Sequence, residues 1–562
     1  MMKKHRWLIL GLTLLVLGGA LSFRSRDRLP EPVFQVQTPF FSDKHVMVLV
    51  PHQDDEVCLA GGIIEQYTKA GSRVSLVYAT NGDYNALAEE RSREALAAAA
   101  VMGIPKEDVY YLGYGNQWQP QDDGSHIYFA ADGDGVWTSH FGATETYGTT
   151  VIGPWRQSAY TRNNFLRDLT DLILELRPDV IYCNDYDPHH DHMALDLFFE
   201  EAMGNILQMD LGYHPAVYKG LAYGTAWHAE ADFAGAENLH ASRMPDWDHW
   251  GRMGIPYDWD SRVRLPMGAE NLSPILSENT VFRALSCFQS QGAWQHAQQV
   301  LNGDKVFFER RTDSLLYDAV FYGGSEQVTV WNDFKLKDSE EFSGLTNSGW
   351  DFDGSITVRL PEPVQMNEIR LHTDPGSDSI WNGYIRFSDG SREEFRVLTA
   401  KGVGVISFPA RTVSSFDILS TAIYGEKPKV TEIEAFDRGE EQPLLLMAVD
   451  ENDDFAYDYQ IPAGDTACFR LYTYPMDSLK GWADVQVGMA GSWGCKWALD
   501  PDLGVLRVTC PPAGRAVITV TAADGVSTTF TVSNPLPQVR QDRLDRQTAD
   551  LAAIMAQNAP EE

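Results

Sequence analysis

Two short clusters of histidine and acidic residues carry the side chains in this sequence that are best suited to chemistry. The first, residues 52–56 (His-Gln-Asp-Asp-Glu), follows the apolar run 46–50, and the second, residues 189–192 (His-His-Asp-His), comes shortly after the apolar run 180–183. Apolar runs of this length are typical of buried strands. Imidazole and carboxylate groups are ligands of Zn²⁺ and similar divalent ions, so the two clusters together predict one metal site.

The spacing within the clusters predicts which side chains hold the ion. His52 and Asp55, on a turn that leaves a strand, can face one ion, and His192 can supply a third ligand. Two histidines and one carboxylate with an open position are a catalytic zinc arrangement. Water in that position has a pKa of about 7, so hydroxide forms at neutral pH. These residues therefore predict a metal-dependent hydrolase.

The other polar residues of the two clusters are predicted to assist the reaction. Asp54 lies next to a ligand and can face the water as a general base. His189 can donate to a developing oxyanion, and Asp191 can orient one of the histidines. Either cluster alone is weak evidence, because acidic residues are common in the first turns of helices. The presence of both clusters at strand ends of one domain favours a functional site over a purely structural role.

Alternating strands and helices between about residues 40 and 320 predict the domain that positions these clusters. Strands are predicted at residues 45–51, 73–80, 109–112, 179–184 and 216–223, and helices at 59–70, 86–102, 161–176 and 193–203. Strands separated by helices of this length form a parallel sheet with helices on both faces. Ligands of such sheets bind at the carboxyl ends of the strands, where both clusters lie.

Two long insertions, at about residues 115–160 and 225–279, interrupt this pattern and are rich in tryptophan. They contain Trp118, Trp137, Trp155, Trp227, Trp247, Trp250 and Trp259. Loops of this length are usually functional or disordered, and so much tryptophan argues against disorder. The indole rings either stack on sugar rings or pack the insertions onto the body of the domain.

The second half of the chain changes to short alternating segments, which predict two all-β sandwich domains at residues 326–438 and 441–535. Strands of the first sandwich are predicted at residues 356–360, 368–372, 384–387, 394–398, 404–408 and 415–419. Residues 536–562 are predicted to close the chain as a charged helical tail. Cys495 and Cys510 bracket a hairpin and could form a disulfide, whereas Cys58 and Cys183 are predicted to be buried.

Net charge and the first residues indicate where the protein works. The 562-residue chain has a net charge of −34, which excludes nucleic acid as a partner because no basic surplus neutralises phosphates. Residues 1–29, with an uncharged run at 7–23 between basic residues, are predicted to be a signal anchor or a signal peptide. Either segment exports the rest, so we expect an extracellular protein that is secreted or held in the membrane by its N-terminal helix.

Over roughly residues 42–312 the sequence resembles the PIG-L/LmbE-like family of zinc-dependent N-acetylglucosaminyl deacetylases. The resemblance rests on Pro-His-x-Asp-Asp-Glu at 51–56, His-x-Asp-His at 189–192, Thr-Asn-Gly at 80–82, and Arg91 followed by Glu94. It implies a Rossmann-like α/β fold. It also implies a role for each candidate residue: His52, Asp55 and His192 as zinc ligands, Asp54 as general base, His189 as oxyanion stabiliser or acid, and Arg91 as a sugar contact.

Three residues depart from the family's pattern. Asn116 stands where many members carry an aspartate that contacts the substrate, so Asn116 is a candidate substrate-binding residue with altered chemistry. Gln53 and His190 stand where proline is common, and neither position is a ligand. In the second half, residues 326–438 resemble a galactose-binding-like sandwich and residues 441–535 a bacterial Ig-like module. Such sandwiches either bind sugars or act as spacers.

Together these features predict an exported Zn²⁺-dependent deacetylase. Its substrate is expected to be an N-acetylglucosamine-type amino sugar in a glycan or glycoconjugate, and the β-sandwich is a second place where a glycan could bind. Two alternatives stay open: the hydrolase acts on another amide, or the protein is a non-catalytic glycan-binding surface protein.

Overall fold

The computed structural model describes residues 33–84, 87–116, 133–139, 141–185, 189–222, 237–243, 257–337, 350–351, 354–374, 378–461, 466–476, 478–491 and 494–558. The predicted signal segment, residues 1–29, lies outside the described residues. In the described part of the chain, no helix has both the length and the apolar character needed to span a membrane. The chain forms two compact units: Pro39–Gln442 with Arg546–Glu562, and Met1–Thr38 with Pro443–Asp545.

The first half of the chain alternates strands and helices, as predicted. Numbered along the whole chain, the strands up to residue 310 are β1 (Gln35–Gln37), β2 (His45–Val50), β3 (Arg73–Thr80), β4 (Val109–Tyr114), β5 (Val180–Asn184), β6 (Ala216–Gly220), β7 (Val263–Pro266) and β8 (Asp304–Arg310). The helices are α1 (Asp55–Lys69), α2 (Ala88–Val101), α3 (Arg162–Leu176), α4 (His190–Met209), α5 (Thr280–Leu285) and α6 (Ala297–Val300).

Seven of these strands form one sheet in the order β4-β3-β2-β5-β6-β8-β7. The first five are parallel, and β8 and β7 are antiparallel to their neighbours. The central strands β2 and β5 are hydrogen-bonded neighbours, with Val46 opposite Val180. Because both strands run in the same direction, the two His/Asp clusters that follow them lie at the same edge of the sheet.

Two helices begin earlier than predicted, and both differences concern the clusters. Helix α1 begins at Asp55 rather than residue 59, and α4 runs from His190 to Met209 rather than over residues 193–203. The acidic residues explain this difference, because carboxylates in a first turn interact favourably with the positive end of the helix. The His189 side chain also caps α4 by accepting a hydrogen bond from the backbone N–H of Asp191.

An eight-stranded antiparallel sheet follows, within the same unit. Its strands are β9 (Val320–Gly323), β10 (Glu326–Val328), β11 (Trp350–Asp351), β12 (Ser355–Thr373), β13 (Ser379–Phe387), β14 (Arg392–Leu398), β15 (Val403–Gly425) and β16 (Lys429–Phe436). The strands predicted at 356–360 and 368–372 are one strand, β12, and those at 404–408 and 415–419 are one strand, β15. Irregular pairing between Arg359 and Val364 marks the point where the prolines at 361 and 363 interrupt the pattern.

The smaller unit contains two sheets around a shared core. Its later strands are β17 (Leu445–Val449), β18 (Asp458–Gln460), β19 (Thr466–Tyr474), β20 (Val485–Ala490), β21 (Lys496–Asp500), β22 (Val505–Thr509), β23 (Gly514–Ala522) and β24 (Ser527–Asn534). The helix α7 (Pro537–Gln557) follows β24. The sheet β1-β24-β23-β20 includes β1 from near the start of the chain, which was not predicted. Cys495 and Cys510 form a disulfide, and Cys58 and Cys183 are buried free thiols.

Short 3₁₀ turns complete the secondary structure of the described residues. They are Lys106–Asp108, Trp259–Ser261, Ala269–Asn271, Leu276–Glu278, Gln289–Gln291, Ala293–His296, Thr399–Lys401 and Trp482–Asp484.

Candidate metal centre and active site

The two clusters meet at the carboxyl ends of β2 and β5. One oxygen of Asp55, Oδ2, lies 3.1 Å from His52 Nδ1 and 3.2 Å from His192 Nε2. The same oxygen accepts the backbone N–H of His52 at 2.9 Å, which fixes the turn between the two residues. All three side chains are buried. The predicted ligand set, two imidazoles and one carboxylate, is therefore brought together by the fold.

A third imidazole belongs to the same group. The candidate ligand nitrogens of His52, His189 and His192 all lie within 4.8 Å of one another. Their ring centroids are 4.8 Å apart for His52 and His189, 5.4 Å for His52 and His192, and 4.6 Å for His189 and His192. His189 is the most exposed of the three. The geometry thus brings His189 as close to the other rings as a ligand would be, although its predicted role is different.

Asp191 links the two clusters through the ring of His52. Its Oδ2 lies 2.9 Å from His52 Nε2, and its backbone N–H donates to His189 Nδ1 at 3.2 Å. The carboxylate of Asp191 therefore orients one histidine, as predicted for a residue that supports metal ligands. Because His189 Nδ1 is an acceptor, the neutral imidazole of His189 carries its proton on Nε2.

Charges within the cluster shift the pKa values of the predicted ligands in opposite directions. Burial alone would lower the pKa of His52, but the hydrogen bonds that its ring donates to Asp191 and Asp55 outweigh burial and raise the pKa. Burial alone would raise the pKa of Asp55, but the imidazoles of His192 and His52 hold it well below its usual range. The two side chains therefore favour an imidazolium beside a carboxylate, and a divalent ion that binds here would have to displace the imidazolium proton.

Asp54, the predicted general base, lies in a strained backbone conformation. Its φ is +116°, a value that residues with a Cβ rarely adopt and that costs about 1–3 kcal/mol. Its carbonyl accepts the N–H groups of Val57 and Cys58, so Asp54 also caps α1. Its Oδ1 is buried and has no hydrogen-bond partner among the described residues. Burial and the charge of Asp55 raise the pKa of Asp54 to about 7.

Glu56 holds Asp54 in that conformation. Its Oε2 accepts the backbone N–H of Asp54 at 3.0 Å, and its carboxylate is fully buried. Burial raises the pKa of Glu56 to about 8. This hydrogen bond depends on the unusual φ of Asp54, which the spacing of the motif does not contain.

Arg91, the predicted sugar contact, is buried and bonded to the protein on several sides. Its guanidinium donates to the carbonyls of Gly82 and Gln53 at 3.0 and 2.8 Å, and to Gln291. It also lies 3.9 Å from Asp54 Oδ1. Gly82 has a φ of +63°, and a Cβ there would meet the side chains of Gln53 and Arg91. Arg91 therefore braces the turn of the first cluster, and its contact with a sugar stays a prediction.

Asn116, the other predicted substrate-binding residue, follows β4 and is buried. Its backbone N–H donates to Asp83 Oδ1 at 2.8 Å, while its own Oδ1 has no hydrogen-bond partner among the described residues. Asp83 also accepts from the hydroxyl of Tyr147 at 2.5 Å. Tyr147 comes from the first insertion, so no spacing in the sequence could have assigned it to this wall of the site.

Three of the seven tryptophans in the insertions are among the described residues. Trp137 and Trp155 pack against the core between the sheet and helices α3 and α4, and Trp259 packs against the small core of Leu221, Val306 and Phe308. The packing interpretation therefore holds for these three. Trp118, Trp227, Trp247 and Trp250 lie outside the described residues.

The donor set fits one divalent ion. Two imidazoles and a carboxylate are a common ligand set for Zn²⁺, and several divalent ions accept it. The second oxygen of Asp55, Oδ1, is buried without a hydrogen-bond partner among the described residues, so the carboxylate keeps an unused lone pair inside the site. His52, Asp55 and His192 could hold the ion, and the ring of His189 lies next to these ligands.

Comparison with known proteins agrees with this architecture. Residues 47–203 match the model of the PIG-L family, described as GlcNAc-PI de-N-acetylase. The resemblance inferred from the motifs is therefore confirmed for this α/β domain, which a region rich in β-strands follows. The interpretation of that region as galactose-binding-like and Ig-like modules stays a prediction. No curated protein matches the chain in sequence.

Solved structures share only distant similarity with the chain. The N,N'-diacetylchitobiose deacetylase from Pyrococcus horikoshii is 20% identical with a TM-score of 0.22, and the match covers 32% of this chain and 60% of that one. An A40926 pseudoaglycone deacetylase is 14% identical with a TM-score of 0.26, covering 48% and 98%. A zinc-inhibited form of teicoplanin deacetylase is 13% identical with a TM-score of 0.26, covering 48% and 99%.

Proposed function

We propose that the α/β domain is a metal-dependent N-deacetylase. It removes acetyl groups from N-acetylglucosamine-type amino sugars in a glycan or glycoconjugate. The observation that carries the proposal is the convergence of His52, Asp55 and His192 at one sheet edge, within 3.2 Å of a shared carboxylate oxygen. These residues lie in the segment that matches the PIG-L family.

His52, Asp55 and His192 would hold the ion, which we take to be Zn²⁺. When bound, such an ion polarises an acyl oxygen and lowers the pKa of water. Asp191 fixes the ring of His52 through its 2.9 Å contact with Nε2. The protein thus presents a pre-arranged set of donors and does not need to assemble it on binding.

Asp54 is the proposed general base. Its Oδ1 accepts no hydrogen bond from the described residues, and its φ is strained, so other parts of the structure must hold the residue in place. Strain of this kind is typical of residues that take part in a reaction. Glu56 and Arg91 maintain it from two sides, through the Asp54 N–H and through the carbonyl of Gln53. The carboxylate of Asp54 would take the proton from the attacking water and pass it to the leaving amine.

His189 is the proposed oxyanion stabiliser. Its Nδ1 accepts from the backbone, so the proton on Nε2 can be donated to the acyl oxygen as negative charge develops there. His189 is more exposed than His52 and His192, which suits a group that must reach the substrate. Asn116 Oδ1 and Arg91 are the proposed groups for sugar hydroxyls, and an exposed glycan chain could also bind the β-strand region.

We further propose that the protein works outside the cell, either secreted or anchored by its N-terminal segment. The disulfide between Cys495 and Cys510 supports this location, since disulfides persist in oxidising compartments. The net charge of −34 suits an uncharged sugar rather than an anionic polymer as substrate.

The test is acetate release from a panel of N-acetylated sugars by protein loaded with one equivalent of Zn²⁺. Asp54→Asn should keep Zn²⁺ binding and lose about 10²–10⁴-fold in rate, as expected when a general base is removed. Asp171→Asn is the matched control, because the Asp171 carboxylate is a surface partner of Arg156. An unchanged rate in Asp54→Asn would refute the assigned base.

The same panel separates the alternatives. Acetate release only from N-acetylated amino acids or other amides would favour a hydrolase with a different substrate. Tight sugar binding without release of acetate, with Zn²⁺ present, would favour a glycan-binding protein.

A further inference from the structure

A short segment after β10, residues 331–337, lies along helix α4, and we call it the strap. Trp331 at its start is buried in the core of the eight-stranded sheet, and Phe334 is buried in the core between the α/β sheet and helices α3 and α4. The strap lies beyond residues 47–203, the part that matches the PIG-L family. It therefore joins the two cores of this unit through side chains that both cores bury.

The strap runs antiparallel to α4, from the end of the helix toward the second cluster. Its contacts, taken in that direction, are Gln208 with the carbonyl of Asn332 at 2.8 Å, Glu201 with Lys335 at 3.2 Å, and Glu200 with the N–H of Leu336 at 3.2 Å. Gly204 lies between them, and a Cβ there would collide with the carbonyl of Asp333. This glycine allows the close approach of the two backbones.

Lys337 ends the strap at a buried group of carboxylates. Its Nζ lies 3.0 Å from Asp185, 2.8 Å from Asp196 and 3.2 Å from Glu200. Lys219 from β6 also pairs with Asp196. Each of these five side chains is at most 5% exposed. We call them the lysine cluster.

The carboxylates of the lysine cluster lie on the two elements that carry the second cluster of the candidate site. Asp185 directly follows β5, and its backbone N–H donates to Gly220 at 2.6 Å. Asp196 and Glu200 lie one and two turns after His192 on α4, so the three side chains share one face of the helix. Lys337 thus connects the end of β5 with the His192 face of α4.

Without Lys337, the three buried carboxylates would lose the ammonium that they share, while Lys219 would still pair with Asp196. Buried charges of one sign repel strongly when they lack a partner, and the protein must move or protonate them. Asp185 directly follows β5 and Asp196 lies one turn after His192 on α4, so a movement of either residue would disturb the elements that carry the second cluster. Burial alone would lower the pKa of Lys337, but Asp185 and Asp196 raise it, so the ammonium stays charged.

We propose that Lys337 is a positioning residue for the candidate metal centre: it neutralises the carboxylates at the end of β5 and on α4, and so fixes the helix turn that presents His192. The centre then depends on a residue from outside the α/β domain. The inference deepens the proposed function, and it takes from that proposal only the assignment of His192 as a ligand.

The test compares Lys337→Met with Lys335→Met in the full chain. Lys335 is the matched control, because it lies on the same strap but pairs with the partly exposed Glu201. In Lys337→Met we expect at least about tenfold faster hydrogen exchange of peptides within residues 189–200, and about tenfold weaker binding of Zn²⁺, the loss typical when support of a ligand is removed. Lys335→Met should change neither quantity.

A double variant, Lys337→Met/Glu200→Gln, separates charge balance from simple loss of packing. It removes one positive and one negative charge together, so exchange and Zn²⁺ affinity should return toward the wild type, even if Lys337→Met does not fold. Unchanged exchange and affinity in a folded Lys337→Met would overturn the proposal. The same holds for an equal effect of Lys335→Met, or for a double variant as defective as the single one.

Failure of this inference and failure of the proposed function give different results. The exchange measurement needs neither substrate nor metal, so it tests the strap even if no sugar releases acetate. Conversely, wild-type protein that releases acetate while Lys337→Met behaves normally would retain the enzyme and reject only the positioning role.

Discussion

The lysine cluster and the candidate site are two buried groups of charged residues that share helix α4, and they differ in the partners of their carboxylates. In the lysine cluster, each of the carboxylates Asp185, Asp196 and Glu200 has an ammonium within 3.2 Å. In the candidate site, the partners of Asp55 and Asp191 are imidazoles, and the guanidinium nearest to Asp54 is 3.9 Å away. Each carboxylate of the lysine cluster has a lysine ammonium as its partner, whereas Asp55 and Asp191 have imidazoles, which can give up their proton to bind a metal ion. The site also contains the strained backbone of Asp54.

The largest expected effect tests the lysine cluster. Lys219→Met should lower the free energy of unfolding by about 3–5 kcal/mol, because it leaves Asp196 buried with less positive charge. Lys69→Met is the control, since Lys69 pairs with Glu65 and Glu270 but is 54% exposed, and it should cost at most about 1 kcal/mol. Urea unfolding measures both. Equal, small losses of unfolding free energy in both variants would mean that the lysine cluster does not stabilise the fold more than a surface ion pair does.

The next effect tests the candidate site. His192→Ala should weaken Zn²⁺ binding by about 100-fold or more, since loss of a ligand exceeds the usual cost of losing its supporting residue. His189→Ala should leave Zn²⁺ bound and lower the rate of acetate release, because His189 is proposed to meet the substrate. Competition with a chromophoric chelator measures affinity. A similar loss of affinity in both variants would make His189 a ligand, which the mutual distance of the three rings also permits.

The smallest effect concerns the strain in the site. Asp54→Gly should raise the free energy of unfolding by about 1 kcal/mol, because glycine adopts a φ of +116° without a Cβ clash. This gain exceeds the cost of the larger conformational entropy that glycine has in the unfolded chain. Urea unfolding of the metal-free protein measures the change. A loss of stability would show that the cap and hydrogen bonds of Asp54 outweigh its strain, and the contrast between the clusters would then be weaker.

Much of the α/β domain could be predicted because its signals are local. An apolar run followed by a turn is sufficient to place β2, found at His45–Val50 against a prediction of 45–51, and the first cluster directly after it. That His52 and His192 share one site follows from parallel strands ending at one edge. The bond between Asp191 and His52, by contrast, depends on side-chain directions that spacing does not contain.

The strap and the long β-strands could not be predicted for a different reason. Lys337 is one charged residue in an irregular segment, and Trp331 and Phe334, at the start and middle of that segment, hold it against the two cores. Strand β12 was predicted as two strands, yet the chain passes through an irregularity at the prolines 361 and 363 and stays extended. Tertiary contacts decide both outcomes.

The pairing of β1 with β24 has a consequence for how the molecule is made. Val33 and Thr531 exchange two hydrogen bonds across 498 residues, and Gln35 lies opposite Thr529. Residues 33–37 leave the ribosome long before their partner strand, so this sheet of the smaller unit cannot form completely until β24 (Ser527–Asn534) has been synthesised. A variant shortened to begin after residue 38 would expose residues 527–529 of β24 as an unpaired strand edge, which could pair with a second molecule.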